Sequence, residues 1–345
     1  MIDLMKYLNI EHKNNKINEQ KYNPDVLHSE NDKPLNQKLN IMKKQTLVFG
    51  LVAIMGIFTM TGCENENEET KMVSDMTIAE YAVSDKNFSI LVEALSKAGL
   101  VDALNGEGNF TVFAPTNAAF TSLFTELGIT GIADLSAEAL TPILLYHVLG
   151  EEKKASMLAS GYYSTLSSSQ GSPLNIRVQT EMGVKINGDV NVTIADVDVK
   201  NGVIHAIDKV LLPPTVVDIA LANESFSILV QAVLKAGLAE TLSGAGPFTI
   251  FAPTNAAFEA LFAQLGVTGI SQLTAEQLTP ILLYHVVSGN VRSTQLSNGT
   301  VATLNGNISV SLSPSPKINS TASIIATDVQ GTNGVVHVID KVLVP

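Results

Sequence analysis

An internal duplication constrains this 345-residue chain more than any other feature of its sequence. Residues 113–149 align without a gap on residues 251–287, and 27 of the 37 positions are identical. The offset of 138 falls to 132 near the C terminus, because the second copy is shorter around the Ser-rich segment 167–172. This period is far longer than a solenoid repeat and indicates two tandem domains, which we assign to residues 73–213 and 214–345.

The most conserved part of the duplication is the stretch Asn109–Phe120, which returns as Pro247–Phe258. Its alternating residues predict a strand that ends at a proline, since proline cannot donate to a sheet ladder. Either of the next two residues, Thr116 or Asn117, could cap a following helix. The stretch has no titratable side chain, so we interpret it as a folding motif. Its structural markers are Phe113, Pro115, Thr116 and Asn117, repeated as Phe251, Pro253, Thr254 and Asn255.

The order of predicted elements within each copy is helices first, then strands. Apolar residues recur at helical spacing over 88–95, and the apolar segment 140–148 predicts a helix that begins or kinks at Pro142. Patterns typical of strands begin after Ser164, and Asn187-Gly188 predicts a tight turn between two of them. Helices followed by a run of strands predict the α+β fold class.

Composition excludes several classes of function. The net charge of −12 argues against a nucleic-acid partner, because nucleic-acid binding needs basic patches. A single cysteine rules out an internal disulfide and a metal site built from thiolates. No glycine-rich phosphate loop is present. We therefore expect no metal and no cofactor.

The segment 42–62 has the parts of a secretory signal: two lysines, a 15-residue apolar run over 46–60, and small residues before the only cysteine. The run is short for a transmembrane helix, which needs about 20 apolar residues. The segment resembles a bacterial lipoprotein signal with Met60-Thr61-Gly62-Cys63 as its lipobox. The resemblance implies lipid attachment at Cys63 and a membrane anchor. The alternative is an incidental thiol at the end of a membrane anchor.

The segments on either side of this signal are polar. Residues 1–41 precede it, and we interpret them as a non-native extension from a start codon placed too early. Residues 63–72 form an acidic tether. Acidic residues after the lipid-bearing cysteine resemble a surface-export signal of some Gram-negative lipoproteins, and the alternative is a plain spacer. We expect the protein at the cell surface or outer membrane, with surface display favoured over a periplasm-facing position.

Three sequence blocks occur in the same order in both copies. They are the motif from Phe110 to Phe120, a central Tyr-His, and Gly-Val-Ile-His-Ala-Ile-Asp-Lys-Val-Leu from Gly202. Together they resemble the fasciclin (FAS1) domain. The resemblance implies that each copy is a wedge-shaped β-sandwich with flanking helices. It also implies non-enzymatic adhesion or extracellular matrix binding, with an extracellular protein or a glycan as ligand.

The candidate binding residues are Tyr146-His147 and Tyr284-His285. In some animal members of the family this region resembles an integrin-contact motif. The alternative is a buried histidine that fixes neighbouring segments through both ring nitrogens. Because apolar residues flank the pair on both sides, we favour the structural role.

A histidine and an aspartate recur near the end of each copy, His205 with Asp208 and His337 with Asp340. Side chains three apart on a strand point to opposite faces, so neither pair forms a single site. No serine stands in a nucleophile-elbow motif, which argues against a catalytic triad. We therefore treat these four residues as structural.

The one carboxylate pair on a predicted strand face is Asp196 with Asp198, and the second copy has Asp328 and Gln330 there. Paired-acid chemistry needs both carboxylates, so we favour a solvated edge or a turn cap. Besides adhesion, two functions stay open. One is a glycan-binding or scaffold component of a surface uptake complex, and the other is a hydrolase on a modified scaffold.

Overall fold

The computed structural model describes residues 72–345. The extension 1–41, the signal 42–62, Cys63 and the tether up to residue 71 lie outside the described residues. The expectations for these segments therefore remain predictions.

The first copy contains five helices and seven strands within the described residues. Its helices are α1 (Ile78–Ser84), α2 (Ser89–Ala98), α3 (Val101–Asn105), α4 (Asn117–Leu127) and α5 (Ala137–Tyr146). Its strands are β1 (Phe110–Pro115), β2 (Val148–Leu149), β3 (Gly161–Ser169), β4 (Ser172–Gln179), β5 (Lys185–Ile186), β6 (Val190–Val199) and β7 (Gly202–Ile207). The predicted turn at Asn187-Gly188 separates β5 from β6, with φ of 51° and 87°.

The second copy repeats every α-helix and strand of the first in the same order, which confirms the prediction of an α+β fold in two tandem repeats. Its helices are α6 (Val216–Leu221), α7 (Ser227–Lys235), α8 (Ala239–Ser243), α9 (Asn255–Leu265) and α10 (Ala275–Tyr284). Its strands are β8 (Phe248–Pro253), β9 (Val286–Ser288), β10 (Gly299–Thr303), β11 (Gly306–Ser311), β12 (Lys317–Ile318), β13 (Ala322–Gly331) and β14 (Gly334–Ile339).

The first seven strands close into a barrel in chain order. β1 pairs parallel with β7 and antiparallel with β2, and the remaining neighbours are antiparallel. The second copy keeps this order as an open seven-stranded sheet that starts at β10 and ends at β9. Register shifts in β6 and β13 mark bulges, which bend a strand and increase its twist. The sandwich implied by the family resemblance is therefore, in the first copy, one continuous sheet closed on itself.

The parallel pairing of β1 with β7 depends on a glycine. Gly202 has φ of 150° and lies opposite Phe110 in the register. A Cβ at Gly202 would lie 2.0 Å from the Phe110 carbonyl oxygen, so a larger residue would force the two strands apart. The pairing continues to Pro115, whose register partner is Ile207, and there the strand ends as predicted.

The two residues after Pro115 cap two different helices. Thr116 is the N-cap of α4, and its side chain accepts a hydrogen bond from the Ala119 amide. Asn117 is the first residue of α4, but its side chain serves α2: Oδ1 accepts from the Ile90 amide at 2.9 Å, and Nδ2 donates to the Lys86 carbonyl oxygen at 2.9 Å. The motif thereby joins two helices. Both roles recur in the second copy, at Thr254 and Asn255.

Each copy has two apolar cores, and β1 supplies side chains to both cores of the first copy. Val112 and Ala114 pack against the helices, whereas Phe113 points into the barrel. This division follows from the two-residue period of a strand, which sends alternate side chains to opposite faces. Phe113 shares the barrel core with Tyr146, Leu149, Leu158, Leu174, Ile176, Val178, Ile186, Val190, Ile207 and Leu211, and Phe251 lies in the matching core of the second copy.

We predict that Phe113→Ala destabilises the first domain by about 3–5 kcal/mol, because Phe113 is 0% exposed and its truncation leaves a cavity. Urea denaturation followed by circular dichroism measures the change. The matched control is Met182→Ala, at a side chain that is 86% exposed, which should change the free energy of unfolding by less than about 0.5 kcal/mol. A loss below about 1 kcal/mol for Phe113→Ala would contradict the assignment of this ring to the barrel core.

Candidate functional site

The first candidate, His147, lies at the end of α5 and is 2% exposed. Its Nδ1 is 2.8 Å from the Ile143 carbonyl oxygen, and its Nε2 accepts a hydrogen bond from the Leu211 amide at 2.9 Å. A ring nitrogen that accepts from an N–H carries no proton, so the proton lies on Nδ1 and is donated to Ile143. The neutral ring therefore joins α5 to the segment that follows β7.

Tyr146 lies beside this histidine and points into the barrel. Its hydroxyl donates to the Asn175 carbonyl oxygen at 2.8 Å and accepts from the Asn187 side-chain amide at 3.1 Å. Burial raises the pKa of the Tyr146 phenol, since the phenolate would lose its solvation. The side chain is thus a neutral link between α5, strand β4 and the turn that separates β5 from β6.

The second copy repeats this arrangement. His285 Nδ1 is 2.8 Å from the Ile281 carbonyl oxygen, and Nε2 accepts from the Leu343 amide at 2.9 Å. Tyr284 donates to the Asn307 carbonyl oxygen at 2.7 Å. In both copies the Tyr-His side chains contact the protein interior, which is the geometry that the structural alternative requires. An integrin-contact role would need these side chains at the surface.

The recurring His205 is fully buried and is also held at both ring nitrogens. Its Nδ1 accepts from the Asp196 amide at 3.2 Å, and its Nε2 is 2.9 Å from the Lys153 carbonyl oxygen. The ring stacks on Phe113 with 5.5 Å between ring centroids. His337 has the same set of partners in the second copy: Asp328, Val291 and Phe251.

Asp208 lies just beyond β7 and has partners of its own. Its carboxylate accepts from the Asn191 amide at 2.8 Å and from the Asn191 side chain at 2.7 Å. Asp340 likewise accepts from the Ser323 amide at 2.6 Å. Each aspartate therefore holds a strand end, and no hydrogen bond joins it to the histidine three residues earlier among the described contacts.

The carboxylates of Asp196 and Asp198 are also used separately. Asp196 accepts from the Ala155 amide at 2.7 Å, and Asp198 forms an ion pair with Lys154 at 2.9 Å. Over residues 72–345, no group of three or more His, Cys, Asp and Glu side chains is arranged to hold a metal ion. In the same part of the chain, no helix is long and apolar enough to cross a membrane.

The two domains meet through polar side chains, a site that the sequence reasoning missed. One face consists of β3 and β4, and the other consists of β13 and the residues just after α6. The hydrogen bonds across the interface are Arg177 Nη1 to the Ala222 carbonyl oxygen (3.0 Å), Asn223 Nδ2 to the Tyr162 hydroxyl (3.0 Å), the Gln330 amide to Asn175 Oδ1 (2.7 Å) and Ser169 Oγ to the Thr332 carbonyl oxygen (2.7 Å).

The sequence does hold a signal for this interface. At the repeat positions of Tyr162 and Arg177 the second copy has Thr300 and Ser309, so the contacting side chains are among those that differ between the copies. Ser169 belongs to the Ser-rich segment that is shortened in the second copy. Differences between copies of one scaffold therefore indicate where the copies have different neighbours.

A cleft of about 420 Å³ lies along this interface. Small-ligand sites in proteins span roughly 300–1,000 Å³, so the cleft has the size of such a site. The first domain contributes Tyr162, Ser164, Pro173 and Asn175, and the second contributes Arg292, Ala326, Thr327, Asp328, Val329 and Gln330. The lining therefore combines hydroxyl, amide and charged groups with a few apolar side chains.

We predict that both domains lose stability on mild acidification. Burial lowers the pKa of His147 and of His285 from the ordinary 6.5 to about 4, and burial lowers the pKa of His337 as well. Below pH 6.5 these histidines bind protons in the unfolded chain but stay neutral in the folded state. Their contribution to the free energy of unfolding is therefore complete above pH 6.5 and is lost as the pH drops toward 4. From pH 7.5 to 5.5 the loss should be about 1.4 kcal/mol for each of His147 and His285.

The matched variant for this prediction is His147→Asn. It should be less stable than the wild type at pH 7.5, and the stability of its first domain should depend less on pH, by about 1.4 kcal/mol over the same interval. Urea denaturation at pH 7.5 and 5.5 gives both values. An unchanged pH dependence in the variant would show that His147 is not the titrating group.

Comparisons with known proteins follow the two copies closely. The model of the fasciclin domain family matches residues 86–213 and 224–345. Protein sll1483 of Synechocystis is 44% identical over 132 residues, which are 38% of this chain and 73% of that protein. Transforming growth factor-beta-induced protein ig-h3 of Sus scrofa is 32% identical over 285 residues. Human periostin is 28% identical over 274 residues.

The chain covers only part of the two animal relatives, 38% of ig-h3 and 31% of periostin. Among solved structures, the FAS1 domain pair of the insect cell adhesion molecule Fasciclin I aligns over 73% of this chain and 95% of that chain, at 20% identity and a TM-score of 0.45. The family model matches both copies and together more than half of the chain. This protein therefore belongs to the fasciclin domain family, as a chain with two tandem FAS1 domains.

Proposed function

We propose that this protein is a non-enzymatic, lipid-anchored cell-surface protein that mediates adhesion or extracellular matrix binding through its two FAS1 domains. Fasciclin domains occur in proteins associated with adhesion and with the extracellular matrix. The family membership of both copies is the observation that carries the proposal. The lipobox Met60-Thr61-Gly62-Cys63 supports the anchor, and the acidic residues after it support display at the cell surface.

The geometry of the histidines supports a role without catalysis. In the described residues, all four are buried and use both ring nitrogens in hydrogen bonds to the backbone. A general base must reach the proton of a substrate, and these rings face other parts of the fold. Recognition would then depend on the outer surface and on the cleft between the domains.

A second candidate function is glycan binding within a surface uptake complex. The lining of the interdomain cleft favours it, because hydroxyl and amide groups from both domains meet there beside Pro173 and Ala326. Polar groups of this kind fix the orientation of a small ligand, and apolar side chains cover its less polar faces.

For the anchor, we predict that Cys63→Ala abolishes incorporation of a labelled fatty acid and moves the protein from the membrane fraction to the soluble fraction. The physical reason is the loss of the acyl chains, since several chains together hold a protein on a membrane far better than one does. Cys63→Ser serves as a second variant with nearly the same shape and no thiol. Unchanged membrane fractionation of both variants would contradict the anchor.

For adhesion, we predict that deletion of the gene reduces cell aggregation or attachment to a coated surface, and that the wild-type gene restores it. The gene for Cys63→Ala should restore less, because the adhesive domains would leave the cell. The measurement is the fraction of attached cells after washing. Equal attachment of the deletion strain and the parent would contradict the proposed function.

A further inference from the structure

One charge pair differs between the two copies at a position that faces the interdomain cleft. In the first copy, Lys154 and Asp198 form an ion pair at 2.9 Å. The duplication places Arg292 and Gln330 at these two positions. The second copy therefore keeps the cation and has lost its carboxylate.

Gln330 cannot replace that carboxylate, because its amide is already used. The side chain is buried, with 1% exposure, and exchanges two hydrogen bonds with the Asn290 amide. Its Nε2 also donates to the Gly331 and Gly334 carbonyl oxygens at 3.0 Å each. The backbone amide of Gln330 donates across the interface to Asn175. The residue is thus a neutral part of the domain contact.

Arg292 lines the cleft without a partner for its guanidinium. Its Nε is buried and makes no hydrogen bond, and no ion pair to Arg292 occurs among residues 72–345. The other charge in the lining is Asp328, whose two carboxylate oxygens accept from the amide and the hydroxyl of Ser293. A buried donor without an acceptor costs free energy, and no carboxylate of the described residues forms an ion pair with this guanidinium.

The chemistry of an unpaired guanidinium selects the ligand group. Its planar fork of N–H donors matches a carboxylate in two parallel hydrogen bonds. Arg177 lies opposite Tyr162 in the register of β3 and β4, so it adds positive charge beside the lining. Both features favour an anionic group at this end of the cleft.

The remainder of the lining fits a sugar ring. The Ser164 hydroxyl is free to donate, and the side-chain amide of Asn175 has a second hydrogen beyond its long contact with Ser164 at 3.4 Å. Thr327, which carries a hydroxyl, also lines the cleft, and the lining residues Tyr162 and Pro173 have apolar surface suited to the C–H face of a ring. An extended peptide would need a free strand edge, whereas β13 is paired with both β12 and β14.

We propose that the interdomain cleft binds one hexuronate unit of an acidic saccharide, with its carboxylate on the Arg292 guanidinium and its hydroxyl groups on Ser164, Asn175 and Thr327. The inference deepens the proposed extracellular function and rests on it for the source of the saccharide. The first domain supplies Ser164 and Asn175, and the second supplies Thr327 and the cation, so neither domain alone has the complete site.

The test is isothermal titration calorimetry of the purified full-length protein with glucuronate, glucose and acetate. Glucuronate should bind with a Kd on the order of 1 mM, as suits one small ligand with a single charged contact. Glucose should bind at least about tenfold more weakly because it lacks the carboxylate, and acetate likewise because it lacks the ring. Equal binding of glucose, or of acetate, would overturn the assignment of a uronate.

The decisive variant is Arg292→Gln, which should raise the Kd for glucuronate at least about tenfold. The matched control is Lys154→Gln, the same change at the repeat position in the first copy, which should leave the Kd unchanged. Arg292→Lys keeps the positive charge but lacks the planar pair of N–H donors, so it should give an intermediate Kd. This variant replaces Arg292→Gln in the test if Arg292→Gln does not fold. Wild-type affinity in Arg292→Gln, or in Arg292→Lys when that variant is used, would overturn the proposal.

This experiment separates the site from the general function. Calorimetry uses no cells and therefore tests the site independently of adhesion. If glucuronate does not bind but the deletion strain loses attachment as expected, the proposed site is overturned and the adhesion function is not. Glucuronate binding together with unchanged attachment would support the site and contradict adhesion.

Discussion

Each domain depends on a neutral histidine buried behind its last helix. In His147 and His285, Nε2 accepts a hydrogen bond from a backbone amide just after the final strand, and Nδ1 donates one to a carbonyl oxygen of the last helix. A single ring therefore connects the last helix of each domain to the segment after its final strand. The contact stabilises only while the ring is uncharged, because a buried imidazolium would lose its solvation and Nε2 would lose its role as acceptor. Because the ring must stay buried and neutral, this histidine lies where no ligand can reach it.

The duplication gives both domains one scaffold, yet the contact between them is asymmetric. The first domain presents the face of β3 and β4, and the second presents β13 and the end of α6. Two copies in tandem meet through different surfaces, and such a contact requires different residues on each side. The side chains of Tyr162 and Arg177 in the first domain make such contacts and differ from their counterparts in the second copy, Thr300 and Ser309.

Several elements of the fold follow from local rules that tertiary contacts do not override. The strand that ends at Pro115, the following cap and an apolar helix around Pro142 were predicted from residue type and spacing. The bounds of that helix differ from the predicted 140–148, because it begins at Ala137, ends at Tyr146 and gives way to strand β2 at Val148. Residue type alone could not decide whether Thr116 or Asn117 caps the helix after Pro115. The partner of Asn117, the Ile90 amide, belongs to a different helix and lies 27 residues earlier. No local pattern pointed to Asn201, because its partners are also distant in sequence. Its side chain accepts from the Ile78 amide, 123 residues earlier, and donates to the Leu104 carbonyl oxygen, 97 residues earlier.

By itself, the sequence determined the duplication, the α+β class, the family and the candidate residues, because each depends on neighbours within a few positions or on identity between copies. Only the tertiary structure decided that the Tyr-His pairs face inward and that a cleft lies between the domains. The reason is physical. Burial and the pairing of a charge are set by groups distant in sequence. Only the structure shows that Arg292 Nε is buried without a partner and that the Gln330 amide is already bonded to Asn290.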